Sequence, residues 1–233
     1  MELVIGIIGA MDEEIQLYKE ALSHLTESTR AGITYYQGEL KNKKVVLCKS
    51  GVGKVNASVC TQILIDDYKV SHVIFTGVAG GVDPELNIGD IVISKDCMQH
   101  DIDVTALGFK KGEIPYAEVS LFTADEKLIE IAELSGQDIE DIQITTGRIL
   151  SGDQFIANRE HVQSLYSELQ GTCVEMEGAA VAQVCYLNQV PFVVIRSLSD
   201  KADGSAHVNF LEFTKLASER SYKIVEKMLT HLS

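Results

Sequence analysis

The chain has 233 residues, with 20 lysines and arginines against 34 aspartates and glutamates, a formal net charge of −14. A hydrophobic fraction of 45% and only three prolines provide for a buried core and exclude a globally disordered chain. The acid excess, with no basic cluster to offset it, excludes nucleic acid and anionic membrane as partners, and no apolar run is long enough to span a bilayer.

In chain order, Leu3–Met11 is apolar but preceded by Glu2 and followed by Asp12-Glu13-Glu14. A signal peptide needs a basic leader and a longer core, so Leu3–Gly9 reads as a first buried strand. Ile15, Tyr18, Leu22 and Leu25 recur at helical spacing. Ile33–Leu40 and Val45–Ser50 are strand candidates, Gly51–Lys54 is a turn, and Val55, Val59 and Ile63 mark a second helix. His72–Gly77 reads as a buried strand ending in a glycine-rich turn over 77–81, and Ile91–Ser94 as another strand. Residues 95–120 have no clear period, and a stretch that long is usually functional or at an interface. Val162, Leu165 and Leu169 suggest a helix, as do Ala180, Val184 and Leu187. Pro191–Arg196 is the last strand. Phe213, Leu216, Ala217, Ile224, Val225 and Met228 give a long closing helix.

Strands that are apolar throughout, alternating with helices, imply one domain over 1–233. It is an α/β fold with a mixed, mostly parallel central sheet and helices on both faces. Five cysteines (Cys48, Cys60, Cys97, Cys173, Cys185) with no CxxC spacing fit small buried side chains in a reducing cytoplasm.

In open sheets of this type ligands sit beyond the carboxyl ends of the strands. Gly9-Ala10-Met11-Asp12-Glu13-Glu14 places three carboxylates after a strand, although acids also simply suit a helix N-terminus. Gly77-Val78-Ala79-Gly80-Gly81 allows close backbone approach or merely a tight turn. It lacks the dinucleotide spacing, and Gly51-Val52-Gly53-Lys54 is no Walker loop, because Val55 stands where Ser or Thr is needed. In Arg196-Ser197-Leu198-Ser199-Asp200 the aspartate is placed as a general acid or base, or as an N-cap. Glu175 and Glu177 bracket Met176 in an apolar stretch. Positions two apart do not share a helix face, so the two acids have different jobs, one structural. His100-Asp101-Ile102-Asp103 has no second ligand cluster nearby, which makes His100 a surface or interface histidine and leaves no metal site.

Taken together, these segments resemble one family. The motifs are Gly9–Glu14, Lys49-Ser50-Gly51-Val52-Gly53-Lys54-Val55, Thr76–Gly81 and His100-Asp101-Ile102-Asp103-Val104-Thr105-Ala106. They continue with Ser151-Gly152-Asp153-Gln154-Phe155, Val174–Ala179 and Arg196–Asp200. In that order, over essentially the full length, they resemble bacterial 5′-methylthioadenosine/S-adenosylhomocysteine nucleosidases. The resemblance implies a three-layer α/β/α sandwich of the nucleoside phosphorylase type, a cytoplasmic homodimer and no cofactor. It implies hydrolysis of the N-glycosidic bond of an adenine nucleoside, releasing adenine and a 5-thioribose, in methionine salvage and methyl-cycle detoxification.

By position, the resemblance makes Asp200 the acid that protonates adenine N7, positioned by Ser199, and Glu14 the base that activates water. Glu177 would hold the ribose hydroxyls, and Arg196 would hold the water and the acids. Phe155 would stack on adenine, the Ile156 backbone would read its edge, and Met176 would pack under the sugar. Ala10, Met11, Val78, Ala79 and Gly80 would wall the site, and Phe210 would line the alkylthio pocket. Leu107 and Pro115 would reach in from the neighbouring subunit. Glu175 would be an internal brace.

Val78 often appears as serine in the family and Leu107 as phenylalanine; both departures bear on substrate preference rather than on the reaction. Three other readings are weighed against hydrolysis of 5′-methylthioadenosine and S-adenosylhomocysteine. A phosphorylase on this fold would need a cationic anion loop where Asp12, Glu13 and Glu14 stand. 5′-Deoxyadenosine or 6-amino-6-deoxyfutalosine would use the same catalytic residues. A non-catalytic nucleoside-binding protein would need no acid and base together.

Overall fold

The computed structural model describes residues 3–202 and 206–232, apart from the side chains at 206–209 and 211. The apolar runs become the inner strands β1 (Val4–Gly9), β4 (Lys43–Lys49), β5 (His72–Gly81) and β10 (Phe192–Asp200), every residue of β10 being buried. Around them lie β2 (Ser23–Arg30), β3 (Ile33–Leu40), β6 (Ile91–Gln99), β7 (Phe122–Thr123), β8 (Ile144–Ser151) and β9 (Cys173–Glu175). The helices are α1 (Asp12–Ala21), α2 (Lys54–Asp66), α3 (Glu126–Gly136), α4 (Arg159–Leu169), α5 (Gly178–Asn188) and α6 (Ala206–His231).

The sheet is mixed. Parallel pairs join β1 to β4 and β5, β5 to β10, and β8 to β6 and β9. Antiparallel pairs join β10 to β6, β5 to β9, β6 to β7, and the hairpins β2–β3 and β3–β4. Because β10 bonds to both β5 and β6, the strands β5, β10, β6, β8 and β9 form a closed circuit, and β1, β4, β3 and β2 extend from it. Alternation along the strands splits the core in two. Ile5, Ile7, Leu47, Ile74, Val193 and Ile195 face α1, α3 and α6. Ile8, Val46, Phe75, Val92 and Val194 face α2 and α5.

Several sequence expectations are corrected here. Leu25 does not continue the first helix: α1 ends at Ala21, Leu22 caps it, and Ser23–Arg30 pairs antiparallel with β3. Threonine-rich polar strands of that kind carry no apolar run to betray them. Val55 and Val59 are not the buried stripe of α2, which is Ala57, Cys60, Thr61 and Leu64. Residues 77–81 are the end of β5, not a turn; a Cβ on Gly80 would lie 2.8 Å from Ala202 Cβ and 2.9 Å from Asp200 Oδ1. The first part of the supposed irregular segment, through Gln99, is β6, with a bulge between Ser94 and Asp96. From there to β7 the chain is irregular except for a short 3-10 turn at Thr105–Leu107.

Candidate active site

The carboxyl ends of β1, β5, β9 and β10 converge on a cavity of about 330 Å³. Most of its wall is apolar, with a few convergent polar groups, the usual make-up of a small-molecule site. Thirteen of the sequence-predicted residues line it. Ala10, Met11 and Glu14 come from the β1–α1 junction, and Val78, Ala79 and Gly80 from β5. Phe155 and Ile156 follow β8, Met176 and Glu177 stand between β9 and α5, and Ser199, Asp200 and Phe210 come from β10 and α6.

Glu14 stands in the first turn of α1 and is held by backbone amides from two elements. Its Oε2 accepts from Ala10 N at 2.6 Å and Met11 N at 3.0 Å, and its Oε1 accepts from Val78 N at 2.9 Å. Burial pushes its pKa up, and this outweighs the pull of the Arg196 charge and of the three amides. Gly77 makes the arrangement possible, since a Cβ there would overlap the Glu14 carboxylate and lie 2.5 Å from Arg196 Nη1.

Asp200 ends β10, buried. Its Oδ2 accepts from Ser199 Oγ at 2.9 Å and its Oδ1 from Ala202 N at 2.7 Å. The strand thus places its last two side chains in one hydrogen-bonded pair facing the cavity.

Glu177 precedes α5, and its Oε1 accepts from Gly53 N at 2.7 Å. Burial, and then the neighbouring Glu175 charge, push its pKa up to about 8. Glu175 has other partners. Its Oε2 pairs with Arg196 Nη2 at 2.5 Å, its Oε1 accepts from the Ser151 hydroxyl, and both oxygens accept from Gly178 N. Phe155 and Phe210 meet edge to face, ring centroids 5.8 Å apart, with Phe155 half exposed.

Three predicted residues are not on the cavity wall. Arg196 is fully buried behind it, its Cζ 3.9 Å from the centre of the Phe75 ring, and its Nε and Nη1 have no hydrogen-bond partner among the described residues. Burial would lower its pKa, but Glu175, Glu14 and Glu177 together raise it, so it is the common counter-charge of three acids. It touches the site through those acids rather than directly. Leu107 lies on the exposed 3-10 turn and Pro115 is partly buried, both away from this chain's own cavity.

Sequence reasoning missed Val52, Gln154 and Val174 as lining residues and assigned Glu175 only to bracing. Val52 stands between two glycines in a loop read as a plain turn. The one signal in the sequence was an apolar side chain between Gly51 and Gly53, in a segment with no apolar period. His100, expected at a surface or interface, is buried, with its ring edge to face with His161. Its Nε2 has no hydrogen-bond partner among the described residues, and burial holds its pKa down at about 4. Asp101 is engaged by Lys54, and Asp103 by Thr105. Among the described residues no three His, Cys, Asp or Glu side chains gather as a metal site.

The family model of the phosphorylase superfamily matches residues 4–230. A 5′-methylthioadenosine/S-adenosylhomocysteine nucleosidase of Anoxybacillus flavithermus is 45% identical over 98% of this chain and 99% of its own length. The chain belongs to the 5′-methylthioadenosine/S-adenosylhomocysteine nucleosidase family. Among solved structures, the nucleosidase of Neisseria meningitidis in complex with methylthio-immucillin-A superposes with a TM-score of 0.94 at 39% identity, covering 98% of this chain and 99% of that one. A futalosine hydrolase of Helicobacter pylori has the same fold, with a TM-score of 0.93 at 34% identity, covering 99% and 98%.

Proposed function

We propose that the chain hydrolyses the N-glycosidic bond of 5′-methylthioadenosine and S-adenosylhomocysteine. The observation that carries this is the pairing of Glu14 and Asp200 in one apolar cavity at the ends of β1 and β10. An ordinary binding pocket needs neither a raised-pKa base nor a second buried carboxyl group.

Breaking the bond puts positive charge on the sugar and negative charge on adenine. Asp200 gives its proton to adenine N7 as the C1′–N9 bond breaks, so the base leaves neutral. The Ser199 hydroxyl fixes the carboxyl group that does this. Glu14 removes a proton from water while the water oxygen bonds to C1′, and its raised pKa makes it the better base. The products are adenine and the free 5-thioribose. Glu177 receives the ribose hydroxyls, whose donated hydrogen bonds favour its ionised form. Its charge then stabilises the cationic sugar. Phe155 stacks on adenine, the Ile156 backbone reads its edge, and Met176 packs beneath the sugar. Ala10, Met11, Val78, Ala79 and Gly80 wall the site. Phe210 lines the 5′-substituent end. Arg196 keeps Glu14, Glu175 and Glu177 tolerable together in a dry interior.

A single domain carries this activity as a cytoplasmic homodimer, in the salvage of methionine and the removal of methyl-cycle by-products. Exposed apolar residues, among them Val55, Val59, Leu107, Tyr116 and Leu187, support self-association. On a two-fold dimer, Leu107 and Pro115 complete the neighbour's 5′ pocket. No cofactor takes part in any step. The likeness to a futalosine hydrolase supports 6-amino-6-deoxyfutalosine as a second substrate, handled by the same carboxyl groups. The test is incubation with each nucleoside, with and without phosphate, and identification of the products. Free thioribose and adenine without phosphate are expected; a phosphate requirement and a sugar 1-phosphate would overturn the proposal.

A further inference from the structure

Three segments meet beside the cavity: 51–54, which leads into the first residue of α2, 100–103 after β6 and 152–156 after β8. Lys54 Nζ donates to Asp101 Oδ1 at 2.6 Å and to Gln99 Oε1 at 3.1 Å. Asp101 Oδ2 accepts from Asp153 N at 3.0 Å. Asp153 Oδ1 accepts in turn from Lys54 N at 2.8 Å. These bonds form a closed ring that ties all three segments. The Lys54 and Asp101 side chains are only 17% and 15% exposed, so the pair is better shielded than a surface ion pair. Burial would raise the Asp101 carboxyl pKa, but the Lys54 ammonium and the Asp153 amide more than offset this and hold it low.

The amide just before Lys54 is the one that holds Glu177: Gly53 N lies 2.7 Å from Glu177 Oε1. Gly53 has φ of 99°, a conformation side chains resist, and a Cβ there would stand 3.2 Å from Asp153 Oδ1. Two consecutive amides thus point at two carboxylates, one in the ring and one in the cavity. The ring sets the direction of the first and therefore of the second. Neither Lys54 nor Asp101 lines the cavity.

We infer that the Lys54–Asp101–Asp153 ring is a positioning device for ribose recognition, with Lys54 and Asp101 as positioning residues that act through the Gly53 amide on Glu177. This rests on the nucleosidase reading above. Loosening the ring lets the 51–54 segment shift and frees the Glu177 carboxylate to rotate, so it meets the ribose hydroxyls in fewer productive geometries. The loss falls chiefly on contacts to those hydroxyls, with a smaller loss common to all substrates from the displaced charge beside the cationic sugar, and not on adenine.

The test compares kcat and KM for 5′-methylthioadenosine with those for its 2′-deoxy and 3′-deoxy counterparts, in wild type, Asp101→Asn, Lys54→Gln and Lys54→Arg, with melting temperatures alongside. A hydrogen bond to a charged group is at stake, so Asp101→Asn and Lys54→Gln should lose about tenfold of the preference for the ribonucleoside, chiefly in KM. The deoxy substrates should change little, and Lys54→Arg, which keeps the ion pair, should retain most of the preference. Equal losses on all substrates, an unchanged preference, or failure of both neutral variants to fold would each overturn the inference, because the ring would then serve only the fold. Absence of wild-type turnover would fail the nucleosidase reading instead.

Discussion

Removing the Glu175 charge separates structural from chemical roles in the acid cluster. Glu175→Gln breaks a 2.5 Å ion pair with a guanidinium that is 1% exposed, in a carboxylate that also accepts from the Ser151 hydroxyl and from the Glu177 and Gly178 amides. Removing one partner of a buried pair costs about 3–5 kcal/mol, because the other charge is left uncompensated. Arg196 is not left alone, since Glu14 and Glu177 still act on it, and the glutamine oxygen can still accept from one amide. The lower end, about 3 kcal/mol, is therefore expected. For a chain of this length that corresponds to a fall in Tm of about 6–12 °C. Glu175 carries no proton in the proposed chemistry, so kcat measured well below the new Tm should drop far less than in a catalytic variant. Differential scanning calorimetry and steady-state kinetics on the same preparation read both quantities. An unchanged Tm with a collapse of kcat would refute the reasoning and move Glu175 into the reaction.

Asp200→Asn and Glu14→Gln should each lower kcat by about 10²–10⁴-fold while remaining folded, by far-UV circular dichroism and rate assay; near-normal turnover in either removes its role. Glu177 has its pKa raised from 4.5 to about 8, so it binds more protons folded than unfolded between those values. Its contribution to stability is full below pH 4.5 and is lost as pH rises through about 8. Glu177→Gln should therefore flatten the fall in Tm between about pH 4.5 and 8, and parallel Tm–pH curves for the two proteins across that range would contradict this. Leu107→Glu should weaken self-association and activity together, while Leu107→Phe should shift the ratio of kcat/KM between 5′-methylthioadenosine and S-adenosylhomocysteine. Sedimentation with parallel assays checks both, and a fully active monomer would show the site to be self-contained.

The inner strands were legible because burial on both faces leaves an unbroken apolar run, as in β1 and β10. What escaped was structure without such a run. Strand β2 is polar and almost entirely exposed, and β9 is only three residues long. The glycines of 77–81 read as a turn, but β10 and β9 pair with them and keep them in the strand, and their missing side chains leave room for Glu14, Asp200 and Ala202. Helix α3 starts at an Asp125 N-cap whose side chain accepts from Leu128 N, a signal present in the sequence but set in a stretch with a weak apolar period. In the site, the acids at strand ends were visible as anomalies in apolar surroundings. The position of Arg196 behind the wall, and the ring through Lys54, Asp101 and Asp153, depend on contacts between residues 21 to 99 positions apart, which local pattern does not encode.

The central claim is that Glu14 delivers water to C1′ while Asp200 protonates the departing adenine. It is tested most directly by turnover of 5′-methylthioadenosine in phosphate-free, heavy-oxygen water, with mass spectrometry of both products. With the sugar reduced by borohydride as it forms, before its open-chain aldehyde exchanges with solvent, the account predicts one heavy oxygen at C1 of the thioribose and none in adenine, with the labelled sugar formed far more slowly by Glu14→Gln. Absence of turnover without phosphate, or a sugar that carries no label, would contradict it.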